Sequence, residues 1–284
     1  STLMITEERQ KQIDFSNEYM RLGASLFALK KNIVDANTTQ DKLKKLDDIA
    51  DKRVGVYAGS VHDTFVQKRY PKAEAKQFTT IADMIIALKT KKIDAAFYDL
   101  TGAKVLLKSN PEIGIVTDNV IDFPVGCGFS SKNSALREKF NKFLKDAKSN
   151  GTYDAMYKRW FIDDPEKARM PKIEFDKNAP QITLGVAVGD LPNSAIINNE
   201  HVGFDIEMLK TFAKREGFNM KIVTMEFSSL IAALAGGKVD IIADGIFITE
   251  EREKQIDFSD PYNKVKSALL ALKTNIAGFD VVAP

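Results

Sequence analysis

The chain has 284 residues, 44% of them apolar, with 41 basic and 39 acidic side chains giving a formal charge of +2. That is enough material for one large or two modest cores, and too balanced a charge to point to nucleic acid. One cysteine excludes a disulfide framework and any multi-cysteine metal site, and two histidines, His62 and His201, are too few for a convincing histidine metal site.

The first segment in chain order returns at the other end. Residues 5–30 read ITEERQKQIDFSNEYMRLGASLFALK and residues 248–273 read ITEEREKQIDFSDPYNKVKSALLALK, with 16 of 26 positions identical at an offset of 243. A period of that length is a whole globular unit and not a solenoid repeat of about 20 to 50 residues. The chain therefore holds about one period of a duplicated protein, cut out of phase. No run of 18 apolar residues occurs and no signal-peptide pattern opens the chain, so the sequence reads as a soluble protein.

Residues 52–130 alternate short strands and helices. Arg53 to Tyr57 is a strand candidate ending at Ala58-Gly59-Ser60, and a helix follows towards Arg69. Ile81, Met84, Ile85 and Leu88 fall at helical spacing, Ile93 to Phe97 reads as a buried strand with Asp99 beyond it, and a helix runs from about Leu100 to Lys108. This order implies an α/β layer with a largely parallel sheet. Residues 134–170 read as helical, with Leu136, Phe140, Phe143, Leu144 and Ala147 in one stripe, Asn150-Gly151 as a break, and Asp164-Pro165 as the start of a further helix. Residues 170–181, with two prolines and no periodicity, form a linker. A second α/β layer follows, with strands at Ile182 to Val188, Lys221 to Met225 and Val239 to Ala243 and helices at Phe204 to Arg215 and Phe227 to Ala235.

In open α/β sheets ligands collect beyond the carboxyl ends of strands, near helix N-termini. Four places qualify. Gly59-Ser60-Val61 could hold an anion on its amides and the Ser60 hydroxyl, or Ser60 could simply cap a helix. Asp99 could accept an ammonium group or cap the helix after it. Gly245 to Arg252 offers a turn and a guanidinium fork for a carboxylate, against the plainer reading of Arg252 as a surface arginine. Asp190 to Asn193 follows a strand and is otherwise a loop. Together they supply a cation, an anion and free amides, the complement of a zwitterion. No GxSxG, HExxH, GxxxxGK[ST] or GxGxxG motif is present. His62 reads as a helix-surface residue, His201 as a hairpin or loop residue, and Cys127 and Trp160 as core.

The combination of ITEER…IDFSDPY with GFDIEML upstream and NGTYDAMYKRWF elsewhere resembles the solute-binding proteins, family 3, of ABC importers for polar amino acids. The resemblance implies a two-lobed periplasmic-binding-protein flytrap of type II, each lobe a mostly parallel sheet flanked by helices, closing on one amino acid without chemistry or cofactor. It implies delivery to the membrane subunits of an importer, and a periplasmic or extracellular, membrane-associated location. On its motifs, Arg252 with the backbone of Gly245 and Phe247 would bind the ligand carboxylate. Ser60 and Val61 would contact that carboxylate from the other lobe, Asp99 would take the ammonium, and Phe227 would pack on the side chain. Asp190 takes a position that is often aromatic in the family, Ala187 stands at the usual aspartate, and Phe247 at a usual serine or threonine.

In that frame residues 1–30 are the end of a lobe 1 and a crossover, 31–130 a lobe 2, 131–175 return helices and linker, and 176–284 the lobe 1 of the next unit. A trimmed tandem pair and a circular permutant both explain this phase. The two phrases compete for one lobe-1 slot, with the copy at 248–273 favoured by its short loop, and a domain-swapped homodimer is one way to pair the lobes. A ligand-sensing domain of a membrane receptor and a cyclohexadienyl-dehydratase-like enzyme are the other readings on the same fold.

Overall fold

A computed structural model describes residues 42–187, 189 and 191–278. Within them two five-stranded sheets form, each fed by its own run of helices. The first run is β1 (Arg53–Tyr57), α1 (Val61–Arg69), β2 (Glu74–Phe78), α2 (Ile81–Lys89), β3 (Ala95–Asp99), α3 (Leu100–Ser109) and the long β4 (Ile113–Val125). Each helix begins on a side-chain cap: Ser60 accepts from the Asp63 amide, Thr80 from Asp83 and Asp99 from Gly102. The apolar spacing expected for α2 is met, with Ile81, Met84, Ile85 and Leu88 all buried.

The second run is β5 (Gly128–Phe129), α4 (Ser134–Ser149), α5 (Thr152–Tyr157), β6 (Gln181–Val186), the hairpin β7 (Ala195–Ile197) and β8 (Glu200–Val202), and α6 (Phe204–Arg215). It continues with β9 (Asn219–Thr224), α7 (Leu230–Ala235), β10 (Ile241–Ile242), α8 (Glu250–Glu253), β11 (Asp257–Phe258) and β12 (Asn263–Leu272). The stripe on α4 is buried as read, and its phenylalanines pack with Phe129 and Phe212 in the core under the second sheet. Trp160, in the wide helical turn Lys158–Ile162 that continues α5, donates to Glu207 Oε2 at 2.7 Å, and Arg159 pairs with the same carboxylate. Two donors therefore offset the burial of that charge.

The strand orders are β2-β1-β3-β12-β4 and β11-β5-β10-β6-β9. Four strands of each sheet point the same way and one opposes them, β12 in the first and β5 in the second, so each sheet is mixed but mostly parallel, as expected. The opposing strands mark two crossings, from β4 of the first sheet into β5 of the second and back through β12. Residues 248–258 stay with the second sheet, whereas β12 passes into the first and lies between β3 and β4. Ser267 to Leu272 are six consecutive buried residues, and only an interior position covers both faces of such a run.

The expected ranges shift accordingly. The 176–284 range loses β12 to the first sheet, and the 31–130 range ends at Val125, because β5 already pairs in the second. Residues 1–30, including Arg9 of the first phrase, lie outside the described residues. At Asp164-Pro165 the expected helix is only a turn, closed by Lys167 N–H to Asp164 O at 3.0 Å. Pro171 follows too closely for a helix to propagate. The linker at 170–181 is irregular up to Pro180, where β6 begins.

Candidate functional site

The carboxyl ends of β1 and β3 and the loops of the second sheet face one cleft of about 90 Å³. From the first sheet it is lined by Tyr57, Ser60, Val61, His62, Ile81, Phe97, Tyr98 and Asp99, and by Val265 of β12. From the second come Gly189, Asn193, Phe227, Asp244, Gly245, Phe247 and Arg252. Seven of the eight residues expected at a ligand are thus at one place. The eighth, Asp190, lies outside the described residues.

On the first wall the structural and functional readings coincide. Ser60 Oγ caps α1 by accepting the Asp63 amide at 3.3 Å, and the same residue lines the cleft with Val61 and His62. The first amides of a helix have no intrahelical acceptor, so this end of α1 suits an anion. Asp99 Oδ1 caps α3 by accepting Gly102 N–H at 2.7 Å. A Cβ at Gly102 would stand 2.8 Å from Asp99 Oδ2, so the glycine leaves the carboxylate its room.

On the second wall the surface reading of Arg252 fails. Its side chain is 7% exposed, and burial alone lowers its pKa to about 10, so it stays charged near neutrality. Nη1 donates to Phe247 O at 2.8 Å, and Nη2 crosses the cleft to Gly59 O at 3.1 Å. The guanidinium stands over the Phe227 ring at 5.7 Å, and Phe227 in turn meets Tyr57 of the other wall at 5.2 Å. Gly59 has φ +73°, and a Cβ there would come 3.0 Å from Ser228 Cα, so a glycine is needed for the walls to approach this closely.

One expected backbone donor is already engaged: the Gly245 amide, at φ +58°, donates to Asp205 Oδ2 at 2.8 Å. At Phe247 it is the carbonyl that Arg252 holds, not the amide expected to face a carboxylate. Phe247 is buried between Phe123 and the edge of His62, filling the joint between the sheets where a hydroxyl was usual. Asp205 is wholly buried at the start of α6, and desolvation raises its pKa to about 6 against the Gly245 hydrogen bond that lowers it.

His62 is the plainest correction. It is buried, not on the helix surface: Nε2 is 2.6 Å from Ser267 Oγ of β12, and the ring stacks on Phe97. Burial first, then the Arg252 charge, lowers its pKa to about 4. The signal was available, because Phe65 and Val66 lie three and four residues on and share its helix face. Asn193, from the fourth candidate place, lines the cleft, whereas Tyr57, Tyr98 and Asp244 were not singled out. The two tyrosines follow from the alternation along β1 and β3 once the cleft end is known, whereas Asp244 is set by a turn with no pattern of its own. Cys127 and Trp160 are buried as read, and His201 lies in the β7–β8 hairpin.

Two facing sheets joined by crossing strands, with opposite charges on opposing walls of a small cleft, define a bilobal binding-protein architecture. The model of the bacterial extracellular solute-binding proteins, family 3, matches residues 1–163 and 182–277, and the chain belongs to that family. It is 32% identical over 166 residues to "ABC transporter arginine-binding protein 1" of Escherichia coli (strain K12), covering 57% of this chain and 64% of that one. It is 30% identical over 166 residues to "ABC transporter glutamine-binding protein GlnH" of Bacillus subtilis (strain 168), covering 58% of each. The chain thus spans less than two thirds of these relatives. Among solved structures, "An ancestral arginine-binding protein bound to arginine" is 40% identical over 29% of this chain and 37% of that one, with a TM-score of 0.29.

Proposed function

We propose that the cleft binds the zwitterion of a polar amino acid and presents it, unchanged, to the membrane subunits of an ABC importer. The observation that carries this reading is that Asp99 of the first sheet and Arg252 of the second line the same small cleft from opposite walls. A carboxylate on one wall and a guanidinium on the other match the two ends of an amino acid, and the Ser60–Val61 end of α1 adds amides beside them. Neither half can hold both ends alone, so binding and closure of the sheets are one event.

The names of the relatives support the transport role, since those above are ABC transporter binding proteins for arginine and glutamine. A periplasmic or extracellular site of action at the membrane surface follows from that role. Among the described residues no helix is long and apolar enough to cross a membrane. A thermal-shift screen of the twenty amino acids, followed by calorimetry on Arg252→Ala and Asp99→Ala, tests the reading. Binding by both variants as tight as wild type would refute it.

A domain-swapped homodimer is the second partner we propose. Residues 248–258 belong to one sheet and β12 to the interior of the other. Exchanging β12 between two copies would therefore leave every sheet complete. Light scattering that returns the monomer mass at all concentrations would rule it out.

A further inference from the structure

The two crossings lie side by side and are bonded to the cleft. Val125, the last residue of β4, accepts the Tyr262 amide at 3.0 Å and pairs with Phe247, which lines the cleft. The Gly126 amide donates to Ile246 O at 3.1 Å, one residue past Gly245. Ser259 closes the same joint, with its amide on Cys127 O at 2.9 Å and its Oγ accepting the Cys127 amide at 3.1 Å. Rotation of one sheet against the other is therefore felt first at Val125 and Tyr262.

Tyr262 turns its side chain from that joint into the second wall. It is buried, its ring stacks with Phe204 at 5.8 Å, and its carbonyl is held by the Tyr153 hydroxyl. Its own hydroxyl lies beside Asp205, the residue after Phe204 on α6. One oxygen of that carboxylate, Oδ2, holds the Gly245 amide of the cleft turn. The other, Oδ1, and the Tyr262 hydroxyl are both buried with no hydrogen-bond partner among the described residues. The two groups are near enough for each to act on the other's ionisation, but they lack the geometry of a formed hydrogen bond. Burial first, then the Asp205 charge, pushes the phenol well above its ordinary range, so it keeps its proton and faces the carboxylate as a donor. A buried donor and a buried charged acceptor left side by side and unpaired lower the stability of this arrangement. A small rotation at the joint would pair them.

We propose that Tyr262 and Asp205 are positioning residues that carry closure from the crossings to the ligand wall: when an amino acid seats between the sheets, the Tyr262 hydroxyl donates to Asp205 Oδ1, and the Gly245 turn is locked. The proposal rests on the amino-acid-binding reading above and adds to it how closure reaches the site.

Calorimetry of the full chain with L-arginine and L-glutamine, and with the remaining proteinogenic amino acids should neither bind, tests it beside urea melts without ligand. Tyr262→Phe deletes one hydroxyl and keeps the ring. It should bind about tenfold more weakly than wild type, as for one lost hydrogen bond to a charged group. Its urea midpoint should stay level or rise, because the unpaired hydroxyl is gone. A merely structural hydroxyl would do the reverse, lowering the midpoint and sparing affinity. Asp205→Asn keeps an acceptor for Gly245 and should bind about threefold or more tighter than Asp205→Ala. The double variant Tyr262→Phe with Asp205→Asn should bind within about twofold of the weaker single, since both cut one link. Wild-type affinity or a lowered midpoint in Tyr262→Phe, no rescue by Asp205→Asn, or single losses that multiply in the double variant would each overturn the proposal and leave the amino-acid reading standing. If no proteinogenic amino acid binds wild type, both fall. If circular dichroism shows the Asp205 variants unfolded, the affinity and midpoint of Tyr262→Phe decide alone.

Discussion

The two walls of the cleft solve the same problem by different means. On the first, Ser60 and Asp99 are helix caps, so the groups offered to a ligand are held by hydrogen bonds to their own helices, to Asp63 and Gly102. On the second, the groups are held at a distance along the chain. Asp205, 40 residues upstream, fixes the Gly245 amide, and Arg252 reaches the carbonyls of Phe247 and Gly59. A wall built from caps keeps its shape when the cleft opens. A wall whose arginine bonds across the gap changes partners on opening. The second wall is therefore the one whose geometry should depend on closure.

Arg252→Ala is the strongest way to break that comparison. It removes the cation from the second wall and the Nη2 hydrogen bond to the Gly59 carbonyl. Calorimetry should show amino-acid affinity reduced by about a hundredfold or more, the range for truncating a buried charged partner. Arg252→Lys keeps the charge but not the fork, and should recover only part of the loss. Equal affinity for Arg252→Ala and wild type would mean that the guanidinium serves closure alone.

Each wall also carries one buried titrating group, and the two shift in opposite senses. His62, at about 4 in the fold against 6.5 unfolded, contributes stability that is present above pH 6.5 and is lost as pH falls through 4. That contribution is about 3 kcal/mol. Asp205, at about 6 against 3.8 unfolded, acts the other way. Its contribution is present below pH 3.8 and lost as pH rises through 6, again about 3 kcal/mol. Between pH 4 and 6 the two largely cancel. His62→Gln should therefore become more stable on acidification across this range, and Asp205→Asn less stable, in urea melts at fixed temperature. Parallel pH profiles for the two variants would show that the groups do not titrate as the geometry requires.

This contrast also explains what could be read from the sequence. Arg53–Tyr57, α2 and the stripe of α4 follow from local period and caps. Ser60 and Asp99 were found for the same reason, since a cap after a buried strand is a local pattern. Gly245 and Arg252 were offered by the turn after a strand and sharpened by the family phrase, whereas Phe227 came from the resemblance alone. Burial of Arg252 and His62 was missed because it depends on β12 and on the opposite wall, hundreds of residues away for His62 and Ser267. The placement of β12 was missed because its apolar run suits either sheet, and only the vacancy between β3 and β4 decides between them.

Glycine substitutions sharpen the comparison at smaller scale. Gly59→Ala and Gly245→Ala both place a Cβ at positive φ, at a cost of about 1–2 kcal/mol each. They differ in what the new atom meets. At Gly59 it stands 3.0 Å from the backbone of Ser228 on the other wall, and at Gly245 3.0 Å from the Asn193 side-chain amide on its own wall. Gly59→Ala should therefore hold the cleft open, measured as a larger radius of gyration by X-ray scattering, whereas Gly245→Ala should lower the melting temperature without changing the radius. An unchanged radius for Gly59→Ala would place the cleft's resting state wider than the contact implies.

The smallest effect concerns the rim. Lys68 on α1 and Glu251 on α8 bridge the walls at 2.7 Å, with side chains 67% and 64% exposed. Exposed pairs of this kind contribute about 0–1 kcal/mol, and salt screens them further. Lys68→Ala should shift the melting temperature by no more than a degree or two and leave affinity within about twofold at physiological salt. The buried crossing from Arg252 to Gly59 would then account for nearly all of the coupling between the walls. A larger loss for Lys68→Ala than for Gly59→Ala would move the latch from the floor of the cleft to its edge, where no local burial protects it, and closure would become strongly dependent on ionic strength.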